Sequence, residues 1–402
     1  MTTLSVVIPA YNEEQGIAVI AQRVLAILPA LQSNGVDSLE LLVVDDGSRD
    51  RTAEIAGGIP GVTLIRHSRN QGYGAALKTG FKHAKGELIG FLDADGTYPP
   101  EYLPQLCRLA LDGAGLVIGS RMAGAASQMP PMRRLGNRIF AALLTLLSHQ
   151  QVTDSASGMR VFRREILPRV YPLPDGLNLT PVMSTRAIHE GVLVKESPIP
   201  YSERVGRSKL SVIRDGRIFL QSMVWTVLTY NPVRILGLFG LGGLSFSMLA
   251  GLGLVIARLM GITDLGPWGV AALFWAVVSA IAGVNLFALG ITFNYLVSLF
   301  YRKPIRQGLF GKPLFKQPLD RHFGWLGILS AMVGLVVGVI SLGLGLDGWE
   351  IERLWFYLLG SAGLFMVGVQ LGIYWILLRV LDELSQREAN TSHDMRPDEA
   401  AE

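Results

Sequence analysis

Residues 91–100 read Phe91-Leu92-Asp93-Ala94-Asp95-Gly96-Thr97-Tyr98-Pro99-Pro100. The residues before them, from Glu87 to Leu92, are mostly apolar and strand-like. They deliver two carboxylates, one residue apart, to the end of an extended segment. Alternate side chains of an extended chain share a face, so Asp93 and Asp95 are expected to point the same way, at one hard cation. Gly96 and the two prolines then turn the chain away. Mg²⁺ or Mn²⁺ suits such a pair, because these ions usually take one or two protein carboxylates and fill the remaining positions with outside oxygens. The competing reading is a solvated, Asp-rich turn. What surrounds the pair decides between them.

Working outward, residues 4–9, 39–44 and 62–66 are short apolar runs with β-branched residues, and a helical stretch follows each. Helices are expected over residues 14–31, from near Asp50 or Thr52, and over 75–84. With residues 87–92 as a fourth strand the pattern is βαβαβαβ, an α/β domain with buried, parallel strands and helices on both faces. Ligands of such sheets sit beyond the carboxyl ends of the strands. Tyr11–Glu13, Asp45-Asp46 and Asp93–Asp95 all lie there. Each has a plainer reading: Asp45-Asp46-Gly47-Ser48 as a capped turn, Gly72-Tyr73-Gly74 as a tight loop. The glycines do not have the spacing of a dinucleotide fingerprint, and no Walker lysine loop occurs. Together the strand-end acids describe a site for a nucleoside diphosphate. Asp45 would bond its base or ribose, and a metal on Asp93 and Asp95 would neutralise the diphosphate.

Half of the 402 residues are hydrophobic, but unevenly placed. Up to about residue 230 the chain reads as a soluble α/β protein, and after it long apolar runs dominate. Residues 1–230 and 231–381 are therefore expected to be a soluble and a membrane domain, followed by a polar, disordered tail over 382–402. Apolar segments near 235–260, 268–299, 323–346 and 354–380 each exceed the roughly 20 residues that cross hydrocarbon. The connection around 301–322 carries Arg302, Lys303, Arg306, Lys312, Lys316 and Arg321. By the positive-inside rule this places the connection, both termini and the soluble domain in the cytoplasm. Residues 132–149 and 209–229 are amphipathic with basic polar faces, and are expected to lie in the membrane interface. The net charge of +4 and its clustering near the membrane segments fit anionic headgroups rather than nucleic acid. The single cysteine, Cys107, excludes an internal disulfide and a Cys-based metal site. No basic and apolar leader opens the sequence, so no signal peptide is expected.

Four motifs stand in order: Val7-Ile8-Pro9-Ala10-Tyr11-Asn12-Glu13-Glu14, Val44-Asp45-Asp46-Gly47-Ser48, Arg69-Asn70-Gln71-Gly72-Tyr73-Gly74 and Asp93-Ala94-Asp95-Gly96. This set resembles glycosyltransferase family 2. The resemblance covers about residues 4–230. It implies a GT-A (Rossmann-like) fold and transfer of a sugar from a nucleotide donor with inversion. It makes Pro9, Tyr11, Glu13, Asp45, Asp46, Asp93, Ala94 and Asp95 the donor-binding set, with Asp93 and Asp95 on the metal. Further on, Gly119-Ser120-Arg121, Arg133-Arg134-Leu135-Gly136-Asn137, Thr153-Asp154-Ser155-Ala156-Ser157-Gly158-Met159-Arg160 and the stretch from Tyr201 to Leu210 resemble polyprenyl-phosphate glycosyltransferases of the dolichyl-phosphate mannose synthase type. By that resemblance Arg121, Arg133 and Asn137 hold the acceptor phosphate, and Arg204, Ser208 and Lys209 close over the phosphates. Asp95 and Asp154 are the catalytic candidates. Asp154 is a positioning residue or a base, or else a partner for Arg160 or a turn cap.

The sequence departs from the pattern at Thr97, where these synthases usually carry a glutamine, and at residues 178–183, which lack an expected acid. The Gln-x-x-Arg-Trp run of processive synthases is absent, which argues against a polymerase. The resemblance implies transfer of one sugar, from a GDP-mannose or UDP-glucose type donor, to polyprenyl phosphate. Two alternatives remain: another lipid acceptor such as diacylglycerol, or a flippase or membrane scaffold with an attached glycosyltransferase-like domain. An oligomer of identical chains is left open.

Overall fold

A computed structural model describes residues 2–122, 129–147, 150–202, 212–262, 266–301 and 319–394. The chain divides into two compact units, Met1–Val227 and Leu228–Glu402.

The first unit is a seven-stranded mixed sheet with helices on both faces. Its strands are β1 (Thr3–Ala10), β2 (Ser38–Asp45), β3 (Val62–Arg66), β4 (Leu88–Phe91), β5 (Leu116–Ser120), β6 (Arg160–Arg163) and β7 (Val194–Pro198). Their order in the sheet is β3-β2-β1-β4-β6-β5-β7. The first four run parallel, as the βαβ pattern predicts. The other half departs from it: β6 enters between β4 and β5, antiparallel to both, while β5 and β7 are parallel.

Helices α1 (Ile17–Ala26), α2 (Leu28–Gln32), α3 (Thr52–Gly57), α4 (Tyr73–His83) and α5 (Leu103–Leu111) connect the parallel half. The stretch expected to form one helix over 14–31 is two, because Pro29 cannot donate to the ladder of a continuous helix. Then come α6 (Pro131–Leu147), α7 (Leu167–Val170), α8 (Leu179–His189) and α9 (Val212–Tyr230).

Strand alternation sorts the core into two clusters. Leu4, Val6, Ile8, Leu41 and Val43 face α1 and α5, with Ile17, Ile20, Val24, Leu103 and Leu106. Val7, Leu42, Val44, Ile89 and Phe91 face α4 and α8, with Leu77, Phe81, Val182 and Met183. Gly80 on α4 lets that helix lie against β1, since a Cβ there would meet Val7 Cγ1 at 2.2 Å.

The second unit holds α10 (Pro232–Leu259), α11 (Pro267–Tyr301), α12 (Phe323–Leu346) and α13 (Ile351–Asp394). All four are long and apolar enough to cross a membrane. Large side chains such as Phe239, Met248, Leu249 and Leu259 are exposed on them, as a lipid-facing surface requires. Backbones meet closely at small residues, the usual way membrane helices pack. A Cβ on Gly240 of α10 would lie 2.7 Å from Gly283 O of α11, and one on Gly327 of α12 would lie 2.8 Å from Gly368 O of α13.

Helix α13 continues to Asp394, so residues 382–394, expected to be disordered, are helical. The stretch 383–389 is mostly Glu, Leu, Gln, Arg and Ala, all strong helix formers, which favours that continuation. The basic residues 302–318, on which the sidedness argument rests, lie outside the described residues.

Candidate active site

The carboxyl ends of β1, β2 and β4 open into a cavity of about 450 Å³. Its wall includes Pro9, Tyr11, Glu13 and Asp46 from the parallel strands, and Asp93, Ala94 and Asp95 after β4. Arg121, Arg133 and Asn137 line it as well. Seven of the eight residues that the family resemblance assigns to the donor, all but Asp45, thus share one cavity with Arg121, Arg133 and Asn137 of the acceptor set.

Strand β4 ends at Phe91, and residues 94–95 are a turn. Asp93 and Asp95 thus reach the cavity by a turn rather than by strand alternation. Gly96 supplies the left-handed backbone (φ 74°). Thr97 closes the turn: its backbone N–H and its hydroxyl both donate to Asp95 Oδ1, at 3.1 and 2.6 Å. Thr97 is buried. Its hydroxyl proton is committed to Asp95, which makes Thr97 a holder of that carboxylate. Asp93 Oδ1 accepts the hydroxyl of Tyr73 at 2.8 Å. Burial first, and then the charge of Asp93, push the Tyr73 phenol well above its ordinary range, so it stays a donor. Gly158 leaves room for the other oxygen, since a Cβ there would lie 2.7 Å from Asp93 Oδ2.

The described residues contain no group of three or more His, Cys, Asp or Glu that could hold a metal ion. Asp93 and Asp95, one residue apart, both line the cavity. Two carboxylates on a cavity wall fit an ion such as Mg²⁺ or Mn²⁺ that completes its shell with phosphate oxygens and water.

Asp45 and Asp46 differ in placement. Asp46 is a hub: Oδ1 accepts from Gln71 N at 2.8 Å and pairs with His67 Nδ1 at 2.7 Å, and Oδ2 accepts from Gly72 N at 2.9 Å. It thereby fixes the loop that starts α4. Asp45 is buried away from the cavity lining; Oδ1 accepts from Ser48 N at 3.3 Å, and Arg66 Nε is 3.6 Å from Oδ2. Loop 10–14 is tied to loop 45–52 by Asp46 N to Ala10 O, Asn12 N to Ser48 Oγ and Glu13 N to Thr52 Oγ1. Asn12 adopts a left-handed φ of 51° to make this fit.

Behind the lining residues Arg121 and Asn137 stands Asp154, which is fully buried. Its Oδ2 accepts Arg121 Nε at 2.7 Å and Arg121 N at 3.0 Å; its Oδ1 accepts Arg121 Nη2 at 2.7 Å and Asn137 Nδ2 at 2.9 Å. Burial alone would raise the Asp154 carboxyl, but the Arg121 charge and the hydrogen bonds outweigh it and hold it below its ordinary value. The guanidinium of Arg121 moves upward: burial opposes the charge, and Asp154 overrides burial. Tyr98 and Tyr201 flank that guanidinium, with ring centroids 5.8 and 5.4 Å from its carbon. Glu196 holds the Asp154 backbone, accepting from Asp154 N at 3.0 Å and from Thr153 N at 2.9 Å.

Sequence reasoning offered Arg160 as a partner for Asp154. Instead Arg160 is fully buried and donates to Ser157 O, Ser155 O and Ser184 Oγ at 3.0, 2.7 and 2.9 Å. Burial among these neutral acceptors pulls its guanidinium down to about 10, which leaves it cationic at neutral pH. Tyr73, Tyr98 and Tyr201 were not singled out as site residues by sequence reasoning; their nearness to Asp93 and Arg121 depends on contacts across the fold. Asp215 and Phe219 of α9 also line the cavity and were likewise missed. Arg204, Ser208 and Lys209 lie outside the described residues.

The chain is similar to known proteins in both of its units. Residues 5–170 match Glycosyl transferase family 2, and residues 232–392 match a domain of unknown function (DUF8752). Dolichyl-phosphate hexose transferase of Haloferax volcanii is 36% identical over 221 residues, 55% of this chain and 92% of that protein. Undecaprenyl-phosphate 4-deoxy-4-formamido-L-arabinose transferase of Edwardsiella ictaluri is 30% identical over 310 residues, 74% of this chain and 89% of that protein. Among solved structures, glucosyl-3-phosphoglycerate synthase of Mycobacterium tuberculosis is similar over 57% of this chain and 78% of its own, with a TM-score of 0.45 and 21% identity. With a GT-A-like mixed sheet in front of four long apolar helices, the chain belongs to glycosyltransferase family 2.

Proposed function

We propose that this glycosyltransferase moves one hexose from a nucleotide-sugar donor to a polyprenyl phosphate, at the cytoplasmic face of a membrane, with a divalent metal. The observation that carries the reading is the shared cavity, whose lining includes both the Asp93–Asp95 pair and the Asp154-held Arg121. A donor diphosphate and an acceptor phosphate are both anions: Arg121 can meet one directly, and the carboxylate pair can meet the other only through a bound cation. The names of the two relatives, one a dolichyl-phosphate and one an undecaprenyl-phosphate transferase, support the lipid acceptor. The donor is of the GDP-mannose or UDP-glucose type.

A phosphomonoester has a second pKa near 6 and is mostly dianionic at neutral pH, so its oxygen attacks the anomeric carbon with little need of a base. That oxygen forms the new bond as the bond to the nucleoside diphosphate breaks, which inverts the centre. A bound Mg²⁺ or Mn²⁺ would neutralise the departing diphosphate. Asp93 and Asp95 orient that end of the donor. Arg121, held along its Nε–Nη2 edge by Asp154, presents its remaining N–H groups to the acceptor phosphate, and Arg133 adds a second cation. Asp154 acts as a positioning residue, with both oxygens engaged by Arg121 and Asn137. Alignment of the two anions supplies much of the rate.

The amphipathic helices α6 and α9 expose Met132, Leu135, Ile139 and Trp225, which suits contact with the membrane interface. The test is transfer in detergent from labelled UDP-glucose and GDP-mannose to a short polyprenyl phosphate, with and without EDTA. Label entering the organic phase with one donor, and lost with EDTA, is the expected result. Transfer to diacylglycerol instead, or no transfer, overturns the acceptor assignment.

A further inference from the structure

The stretch Arg69-Asn70-Gln71-Gly72-Tyr73-Gly74 belongs to the family pattern, yet none of its residues has a task in the transfer itself. Tyr73 opens α4 and lines the cavity. Its hydroxyl donates to Asp93 Oδ1 at 2.8 Å. How well that bond fixes Asp93 depends on how firmly the Tyr73 backbone is held.

The backbone is held on both sides. Before Tyr73, Gln71 N donates to Asp46 Oδ1 at 2.8 Å and Gly72 N donates to Asp46 Oδ2 at 2.9 Å. After it, Gly74 N and Ala75 N donate to Asp175 O, at 2.7 and 3.1 Å. Gly72 turns the chain between these anchors with a left-handed φ of 106°, and a Cβ there would lie 2.5 Å from Asp175 O.

Asp46 is held in turn by His67, which is not part of the cavity lining. A carboxylate only accepts hydrogen bonds, so His67 Nδ1 carries a proton and donates to Asp46 Oδ1 at 2.7 Å. Nε2 meets the hydroxyl of Thr79, on α4 itself, at 2.9 Å. His67 N donates to Asp45 O at 2.9 Å, which ties this residue to the end of β2. Both side chains of the His67–Asp46 pair are nearly out of water.

We propose that Tyr73 is a positioning residue of the metal centre, which orients Asp93 for the cation, and that His67 sets Tyr73 through Asp46. This rests on the reading of Asp93 as a metal ligand. The contacts run from His67 through Asp46 and the amides of Gln71 and Gly72 to Tyr73 and Asp93. A ligand already oriented by its neighbours binds its cation more tightly than one that must be ordered on binding.

The experiment measures Mn²⁺ affinity of the full-length protein in detergent, without donor, from the free-ion electron paramagnetic resonance signal. Tyr73→Phe keeps the ring and loses only the hydroxyl. It is expected to weaken Mn²⁺ binding by about 10- to 100-fold, as loss of an orienting neighbour of a ligand does. His67→Ala, acting at one remove, is expected to weaken it by about 5- to 10-fold. His67→Asn, whose amide can still donate to Asp46, should restore most of that loss. The double variant Tyr73→Phe with His67→Ala should stay within about 2-fold of Tyr73→Phe alone, because residues acting through one contact are not additive. The KM for polyprenyl phosphate at saturating Mn²⁺ should change little in the single variants, which a general loosening of the site would not allow. Wild-type Mn²⁺ affinity in Tyr73→Phe overturns the inference, and this variant decides alone if His67→Ala does not fold. Losses that multiply in the double variant overturn it as well. A wild-type protein that binds no Mn²⁺ is a separate result: it removes the metal reading itself, and the inference with it.

Discussion

Asp154 grips Arg121 along one edge of its guanidinium, with Nε 2.7 Å from Oδ2 and Nη2 2.7 Å from Oδ1, and it also binds the Arg121 backbone N–H at 3.0 Å. Both side chains are nearly or fully out of water. A buried pair of this kind is worth little against an apolar replacement of both partners, but removing one partner leaves an uncompensated buried charge. Asp154→Asn is expected to destabilise this part of the sheet by about 3–5 kcal/mol. Hydrogen–deuterium exchange of peptides spanning residues 116–122 and 152–162 reads the change; unaltered protection would show that the pair does not anchor the site.

The same pair sets a pH dependence. The folded Asp154 carboxyl titrates below its ordinary value near 3.9. A depressed carboxylate stabilises the fold fully above the unfolded value, and that stabilisation is lost as pH falls through the folded value. Exchange protection of the wild-type protein over residues 152–162 should therefore be level from pH 7 to about 5 and decline below about 4. The gap between wild type and Asp154→Asn should narrow over the same acid range. A gap that stays constant down to pH 3 would show that the Asp154 charge is not its source.

Asp95 is expected to carry the metal. In Asp95→Asn the affinity for Mn²⁺, read from the free-ion electron paramagnetic resonance signal, should fall sharply. Sugar transfer should fall on the order of 10³-fold or more, several kcal/mol of leaving-group stabilisation. Unchanged Mn²⁺ binding in this variant would remove the metal assignment.

Thr97 touches Asp95 with both its hydroxyl and its backbone N–H. As an orienting neighbour of a ligand it should matter by roughly 10- to 100-fold in Mn²⁺ affinity. Thr97→Val keeps the shape and loses the hydroxyl, so it should show that loss; Thr97→Ser keeps the hydroxyl and should restore most of it. Equal weakening by both substitutions would point to packing of the threonine methyl group.

Gly158 faces Asp93. A Cβ at this position would lie 2.7 Å from Asp93 Oδ2, so Gly158→Ala must displace the carboxylate. Mn²⁺ affinity and transfer are expected to drop together while the far-ultraviolet circular dichroism spectrum is retained. A variant with wild-type metal affinity would show that Asp93 has room to shift.

Some of this was legible in the linear chain. Apolar strands ending in acids specify a parallel α/β half-sheet with a site at its carboxyl edge, because strand alternation and chain direction act locally. Sustained apolar runs specify membrane-crossing helices, because hydrocarbon demands length and composition rather than particular partners. Asp93-Ala94-Asp95, at one strand end, was recognisable for the same local reason. The rest required the folded chain. The antiparallel insertion of β6 between β4 and β5 joins residues far apart in sequence, and no local pattern encodes it. The pairing of Asp154 with Arg121 rather than Arg160 is of this kind too: Arg160 is nearer in sequence, but it is fully buried against the Ser155 and Ser157 carbonyls and Ser184, while Arg121 is brought to the carboxylate from the end of β5. Sequence determined which chemical groups the protein owns and on which elements they ride. Tertiary structure decided which of them meet, because the pairing of buried charges is set by three-dimensional packing and desolvation rather than by distance along the chain.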